Sequence, residues 1–206
     1  MDDAVRTFKV DKLQAQVFAD RHALGRAAAQ AVAATLKELL PQKNVSVIFA
    51  AAQSQNEFLE ALIAIKGIDW PRITAFHMDE FIGLPGTAPQ SFGRWLRDRL
   101  FDKVKPGTIH YLDGMAKDVE AECARYSALL RASPPDITCM GIGENGHLAY
   151  NDPPFADFHD PKAVKRTLEG SISPECPATI LRRHDRAVLY LDRDSSKLAD
   201  TAIAGR

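Results

Sequence analysis

The sequence predicts an α/β protein with a mostly parallel sheet and helices on both faces, and three observations predict it. Short runs rich in β-branched or aromatic residues recur at residues 45–49, 73–77 and 137–140. Segments with helical spacing of apolar residues separate them, and that alternation builds parallel sheets covered on both sides. Two of these runs end in loops dense in acids, glycines and carboxamides, and the carboxyl ends of strands are where open α/β sheets bind ligands.

Composition sets bounds on function. A chain of 206 residues suits one domain with a sizeable core, and 46% hydrophobic with 26% charged residues is ordinary globular material. Lys+Arg 26 against Asp+Glu 27 leaves a net charge of -1, so no basic footprint for nucleic acid or an anionic membrane is present. The expected partner is a small molecule, with assembly into a homo-oligomer left open. Cys123, Cys139 and Cys176 are odd in number and show no metal-ligand spacing, which argues against a disulfide framework and for a reducing compartment. No signal peptide or apolar span is visible, and a cytoplasmic protein is expected.

Taken in order, residues 11–40 carry Leu13, Val17, Phe18, Leu24, Val32, Leu36 and Leu39 among many alanines and predict one long helix or two, closed by Pro41. Residues 45–49 read as a buried strand. Ala50, Ala51, Ala52 and Gln53 lead to Ser54, a candidate cap for a helix to about residue 66. Such a junction is a plausible anion site, because the first helical N–H groups lack partners. Residues 73–77 form the next strand and run into Met78, Asp79 and Glu80, acids at a strand end that are candidates for acid–base chemistry. Residues 89–101 predict an amphipathic helix with Phe92, Trp95, Leu96 and Leu100 on one side and Arg94, Arg97 and Arg99 on a solvated face. Residues 109–112 are a candidate strand, and residues 118–131 a helix capped by Asp118. Beyond Pro153 the pattern weakens to a short helix at 162–169, a candidate helix at 178–183 and a last strand at 188–191.

The stretch from Cys139 to Pro153 reads Cys-Met-Gly-Ile-Gly-Glu-Asn-Gly-His-Leu-Ala-Tyr-Asn-Asp-Pro and is an expected active-site turn. Gly141, Gly143 and Gly146 permit positive φ and close approach of a ligand to the main chain. His147 falls in the same turn.

Together these segments resemble the glucosamine-6-phosphate deaminase family, within the larger group of ribose-5-phosphate isomerase and 6-phosphogluconolactonase. Residues 76–85, Phe-His-Met-Asp-Glu-Phe-Ile-Gly-Leu-Pro, resemble that family's MDEY-x-GLP motif, and residues 141–153 its G-x-G-x-D-G-H-I-A-F-N-E-P motif. Residues 91–96 resemble the helix after the first motif, and residues 177–184 a C-terminal signature. The resemblance implies a modified Rossmann-like fold of the ribose-5-phosphate isomerase and CoA-transferase kind. It also implies conversion of an amino-sugar phosphate to a ketose phosphate plus ammonia by acid–base catalysis, with no metal or other cofactor. Asp79 would abstract the carbon-bound proton, His147 would serve ring opening, and Asp152 and Asn145 would hold that histidine. Ala52, Gln53 and Ser54 would meet the phosphate, Glu80 would orient its loop beside the substrate, and Gly143 and Gly146 would line it. The alternatives are a lactonase-type hydrolase, in which His147 activates water, and a phosphosugar-binding protein with impaired turnover.

The sequence departs from the family's pattern at several points. Asn145 stands where the family has an aspartate, Asp152 where it has a glutamate, and residues 51–54 replace a Thr-Gly-Gly-Thr phosphate loop. A lid segment of roughly 30 residues or more, the size of a βαβ unit, is expected to be missing near residues 160–162, with the arginine and lysine that clamp the phosphate. Lys162 and Lys165 are the cations left nearby.

Overall fold

The structure is a computed structural model that describes residues 4–154 and 162–199. It divides into two compact units, one made of the chain up to Ala28 and from Gly141 onward, the other of Ala29–Met140.

The first unit is built on a three-stranded sheet. Strands β1 (Arg6–Val10) and β2 (Leu13–Phe18) form an antiparallel hairpin around Asp11, which turns at φ 52. The predicted helix from residue 11 is therefore a strand at its start. The reason is a period of two: Leu13, Ala15 and Val17 are buried while Gln14 and Gln16 are not. Helix α1 (Arg21–Leu39) begins only where Asp20 accepts the Ala23 N–H at 2.8 Å. The last strand, β7 (Val188–Asp192), pairs parallel with β2. Phe8, Leu13, Ala15, Val17, Leu168 and Leu191 form the core there, each large side chain contributing about 1.5–3 kcal/mol. Leu168 comes from α6 (Ala163–Glu169), as the sequence predicts; the candidate helix at residues 178–183 lies in a 3₁₀ segment, Pro177–Arg183.

The second unit holds a four-stranded, wholly parallel sheet in the order β5-β4-β3-β6. Its strands are β3 (Val45–Phe49), β4 (Ile73–His77), β5 (Thr108–His110) and β6 (Ile137–Cys139). Helices cover both faces. Phe49 meets Phe101 at 5.9 Å on one side, whereas Phe76, on the opposite face of the neighbouring strand, meets Tyr126 of α5 (Val119–Ala132) at 5.9 Å. Phe101 ends a π-helical stretch, Arg97–Phe101, that joins α3 (Phe92–Leu96) to α4 (Asp102–Val104). The predicted arginine face there is partly engaged: Arg97 lies over Tyr111, and Arg99 over Trp95.

The fold thus agrees with the α/β, mostly parallel expectation, distributed over two sheets. The junction at residues 160–161, where a lid is expected to be missing, lies outside the described residues. Among the described residues no helix is long and apolar enough to cross a membrane.

Candidate active site

Strand β4 delivers the acidic pair. The Met78 N–H extends the sheet to the Phe49 carbonyl at 3.1 Å, and the chain then leaves the sheet with Asp79 half-buried. Glu80 turns back. Its carboxylate accepts the N–H groups of Phe81 at 3.0 Å, Phe92 at 3.2 Å and Gly93 at 3.1 Å, and the Ser91 hydroxyl at 2.7 Å. It therefore closes the loop between β4 and α3 like a clasp and meets the N-terminal N–H groups of α3, where negative charge is favoured. Both oxygens are taken up by the protein, which fits the loop-orienting role and leaves little of Glu80 for a substrate.

Burial pushes the Glu80 carboxyl up, but Ser91 and the main-chain N–H groups of Gly93, Phe81 and Phe92 outweigh it and hold its pKa below the ordinary 4.5. A depressed carboxyl stabilises the fold fully above its unfolded value, and that contribution is lost as pH falls through the folded value. Glu80→Gln is expected to cost about 1.5–3 kcal/mol at pH 7, the scale of hydrogen bonds to a charged group. Urea unfolding at pH 7 and well below 4.5 checks this, and the gap between variant and wild type should close in acid.

The Ser54 segment differs from its predicted form. A 3₁₀ turn, Gln53–Gln55, follows β3, and α2 (Asn56–Ala64) starts only after it. Ser54 does not cap α2: Gln55 holds the cap position with no side-chain bond, and Ser54 Oγ accepts only a long contact from Gln55 Nε2 at 3.4 Å. Ala52 opens the turn in extended conformation, and Ser54 and Gln53 are exposed. Since β3 and β4 are parallel neighbours, this turn and the Asp79 turn leave the same end of the sheet.

The glycine stretch belongs to the first unit, and there the predicted residues do meet. Asn145 is fully buried, and its Oδ1 accepts the His147 N–H at 3.0 Å and lies 2.7 Å from His147 Nδ1. Its Nδ2 donates to Asp152 Oδ1 at 2.8 Å, which itself lies 3.2 Å from His147 Nδ1. A carboxylate can only accept, so the amide nitrogen faces Asp152 and the amide oxygen faces the ring. Nδ1 then carries a ring hydrogen, so in the neutral tautomer the lone pair lies on Nε2. The Asn145 carboxamide thus links acid and imidazole, although it cannot take a proton.

Only one of the three glycines needs its backbone freedom. Gly146 turns at φ 85, beside a non-glycine at positive φ, Ala149. Gly143 matters for space instead, because a Cβ there would fall 2.0 Å from His147 Cε1. The turn is also held from behind by contacts the sequence did not reveal: Ala178 N–H on the Gly146 carbonyl at 2.9 Å, Arg166 on the Asn145 carbonyl at 3.3 Å, and Cys176 Sγ packed on Gly146. Cys139, just ahead of the turn, is buried, and burial pushes its thiol up to about 12, which disfavours the thiolate. Among the described residues no group of three His, Cys, Asp or Glu side chains is placed to hold a metal ion.

Comparison with known proteins converges on one family. Residues 19–150 match the profile of the glucosamine-6-phosphate isomerases/6-phosphogluconolactonase family. The chain is similar to a glucosamine-6-phosphate deaminase of Bacillus cereus, 27% identical over 221 residues that cover 82% of this chain and 84% of the relative. An alignment that long over 82% of 206 residues leaves stretches of the relative without a counterpart here. In structure it is similar to a monomeric glucosamine-6-phosphate deaminase, with a TM-score of 0.79 at 24% identity over 89% of this chain and 99% of that one. A 6-phosphogluconolactonase from Thermotoga maritima gives a TM-score of 0.60 at 26% identity over 68% and 64%. With the profile spanning both motif-bearing turns up to Tyr150, the chain belongs to the glucosamine-6-phosphate isomerase/6-phosphogluconolactonase family.

Proposed function

We propose that the chain is an amino-sugar-phosphate deaminase that converts glucosamine 6-phosphate to a ketose phosphate and ammonia. The observation that carries this reading is the Asp152–Asn145–His147 arrangement, which leaves a basic Nε2 on a half-buried ring, as ring opening requires. His147 takes the proton of the anomeric hydroxyl and returns one to the ring oxygen. Asp79 then removes the proton from the amine-bearing carbon and delivers it to the neighbouring one. Water hydrolyses the resulting imine, releasing ammonia and leaving the ketone.

The test is an assay of this chain on glucosamine 6-phosphate, with 6-phosphogluconolactone in parallel. Ammonia release with ketose phosphate formation is the expected result. Lactone hydrolysis without ammonia would transfer the reading to the hydrolase, and turnover of neither substrate would leave a sugar-phosphate binder. The three free cysteines suit a cytoplasmic setting.

The phosphate is assigned to Ser54 and adjacent main-chain N–H groups ahead of α2; the N–H groups of Gln55 and Asn56 already donate to the Ala52 and Gln53 carbonyls. A lid missing near residues 160–162 would leave few cations for the phosphate, and the deaminase alignment, longer than the part of this chain it covers, has room for such a gap without locating it. Lys165 is already paired with Glu169. Ser54→Ala is therefore expected to raise KM about tenfold with kcat little changed, the size of one charge-assisted bond. A phosphosugar complex with its phosphate remote from residues 52–56 would refute the assignment.

A further inference from the structure

His77 closes β4 two residues ahead of Asp79, is fully buried, and takes part in neither proton transfer described above. It is tied at two points. Its main-chain carbonyl accepts the Tyr126 hydroxyl at 2.6 Å, and its ring Nδ1 accepts the Leu112 N–H at 3.1 Å. A main-chain N–H can only donate, so Nδ1 carries no hydrogen and the neutral ring has its hydrogen on Nε2. Burial favours this uncharged ring, against the Glu80 carboxylate and the Asp79 main-chain oxygen, which favour the charged one.

Nε2 has no hydrogen-bond partner. Glu80 Oε2 is 3.7 Å away, too far for a bond. Buried donors left unbonded are rare and call for an explanation. Glu80 is held where it is by four donors of its own, which fix the far end of the same short span. The main chain from residue 77 to residue 80 is thus anchored at both ends, with Asp79 inside it.

We propose that His77 is a positioning residue for Asp79: its neutral ring, tied to Leu112 and set against the clasped Glu80 carboxylate, fixes the main-chain path that aims the Asp79 carboxylate. The proposal rests on Asp79 being the base of the deaminase reading. An apolar side chain at residue 77 would leave the Leu112 N–H without an acceptor and the span without its ring support, while the Glu80 clasp would remain. Misplacement would then fall on the base and not on the phosphate contacts.

The experiment compares His77→Leu and His77→Gln with wild type in the full chain. Glutamine keeps an oxygen for the Leu112 N–H and an N–H group toward Glu80; leucine keeps neither. In the glucosamine 6-phosphate assay, leucine is expected to lower kcat about 10²-fold, the scale of a 1 Å misplacement, with KM little changed. Glutamine is expected to restore most of the rate. Unchanged kcat in the leucine variant, a loss glutamine does not rescue, or a loss expressed in KM would overturn the proposal.

A second readout does not depend on turnover. In protein labelled with ¹⁵N-histidine, the wild-type His77 ring is expected in the neutral Nε2–H form at pH 7. Amide hydrogen exchange at residues 78–81 is expected to quicken about tenfold in the leucine variant and to stay near wild type in the glutamine variant. A charged ring, an Nδ1–H ring or unchanged exchange would refute the positioning role. A wild type that releases no ammonia, but shows these ring and exchange results, would instead refute the deaminase reading alone.

Discussion

Asp79→Asn is expected to lower kcat by about 10²–10⁴-fold, the contribution of a positioned general base, with KM and the unfolding midpoint close to wild type. Asparagine matches the side chain in shape and volume but cannot take the proton from carbon. Its neighbours cannot take over the task. The Glu80 oxygens already accept four hydrogen bonds, and His77 is buried with its Nδ1 lone pair occupied by the Leu112 N–H. The variant should therefore still bind sugar phosphate yet fail to exchange the carbon-bound hydrogen with deuterated solvent. Exchange at a near-normal rate in that variant would remove Asp79 from the role of base.

Gly143→Ala is expected to be nearly as damaging, through a single added methyl group. The new Cβ would lie 2.0 Å from His147 Cε1, 2.2 Å from Nε2 and 2.3 Å from Nδ1, so the ring has to move. Nothing in the backbone opposes alanine, because Gly143 is not in the left-handed region. The cost therefore falls on the ring and on its 2.7 Å contact with Asn145. A fall in kcat of about 10²-fold is expected, with about 1–3 kcal/mol of overpacking in the unfolding free energy. Gly146→Ala should behave differently. There the φ of 85 and the Cys176 sulfur, 2.6 Å from the new Cβ, direct the damage at folding. A Gly143→Ala protein with full turnover would mean that His147 does not act from this position.

The comparison of sequence with structure separates local signals from distant ones. Strands β3, β4 and β6 and helix α5 carry their own evidence in β-branched runs and in the Asp118 cap, whose side chain does accept the Ala121 N–H. The hairpin of β1 and β2 carries little. The alternation of Leu13, Ala15 and Val17 with Gln14 and Gln16 is a local strand signal only five residues long, set among residues of helical character, and β7, which pairs with it, lies far along the chain. At the candidate site, the glycine turn could be read because its acid, amide and imidazole lie within eight residues. The Glu80 clasp joins groups 11 to 13 residues apart across a loop, and the tie from His77 to Leu112 spans 35. Ser54 reads as a helix cap in sequence because a 3₁₀ turn and a helix start present the same small polar residues.

The parallel pairing of β2 with β7 also bears on how the molecule is assembled. Ala29–Met140 is one uninterrupted stretch, so its four strands are all available once the ribosome has released it. The first unit is split between the two ends of the chain. At about 5–20 residues per second, β2 waits roughly 10–30 s after its own synthesis for Val188 and Leu191 to emerge. Until then the hairpin carries an unpaired strand edge and an uncovered Leu13–Ala15–Val17 face, and a two-stranded ribbon is marginal in water. The hairpin therefore depends on protection during synthesis until β7, about 170 residues further along the chain, arrives to pair with it.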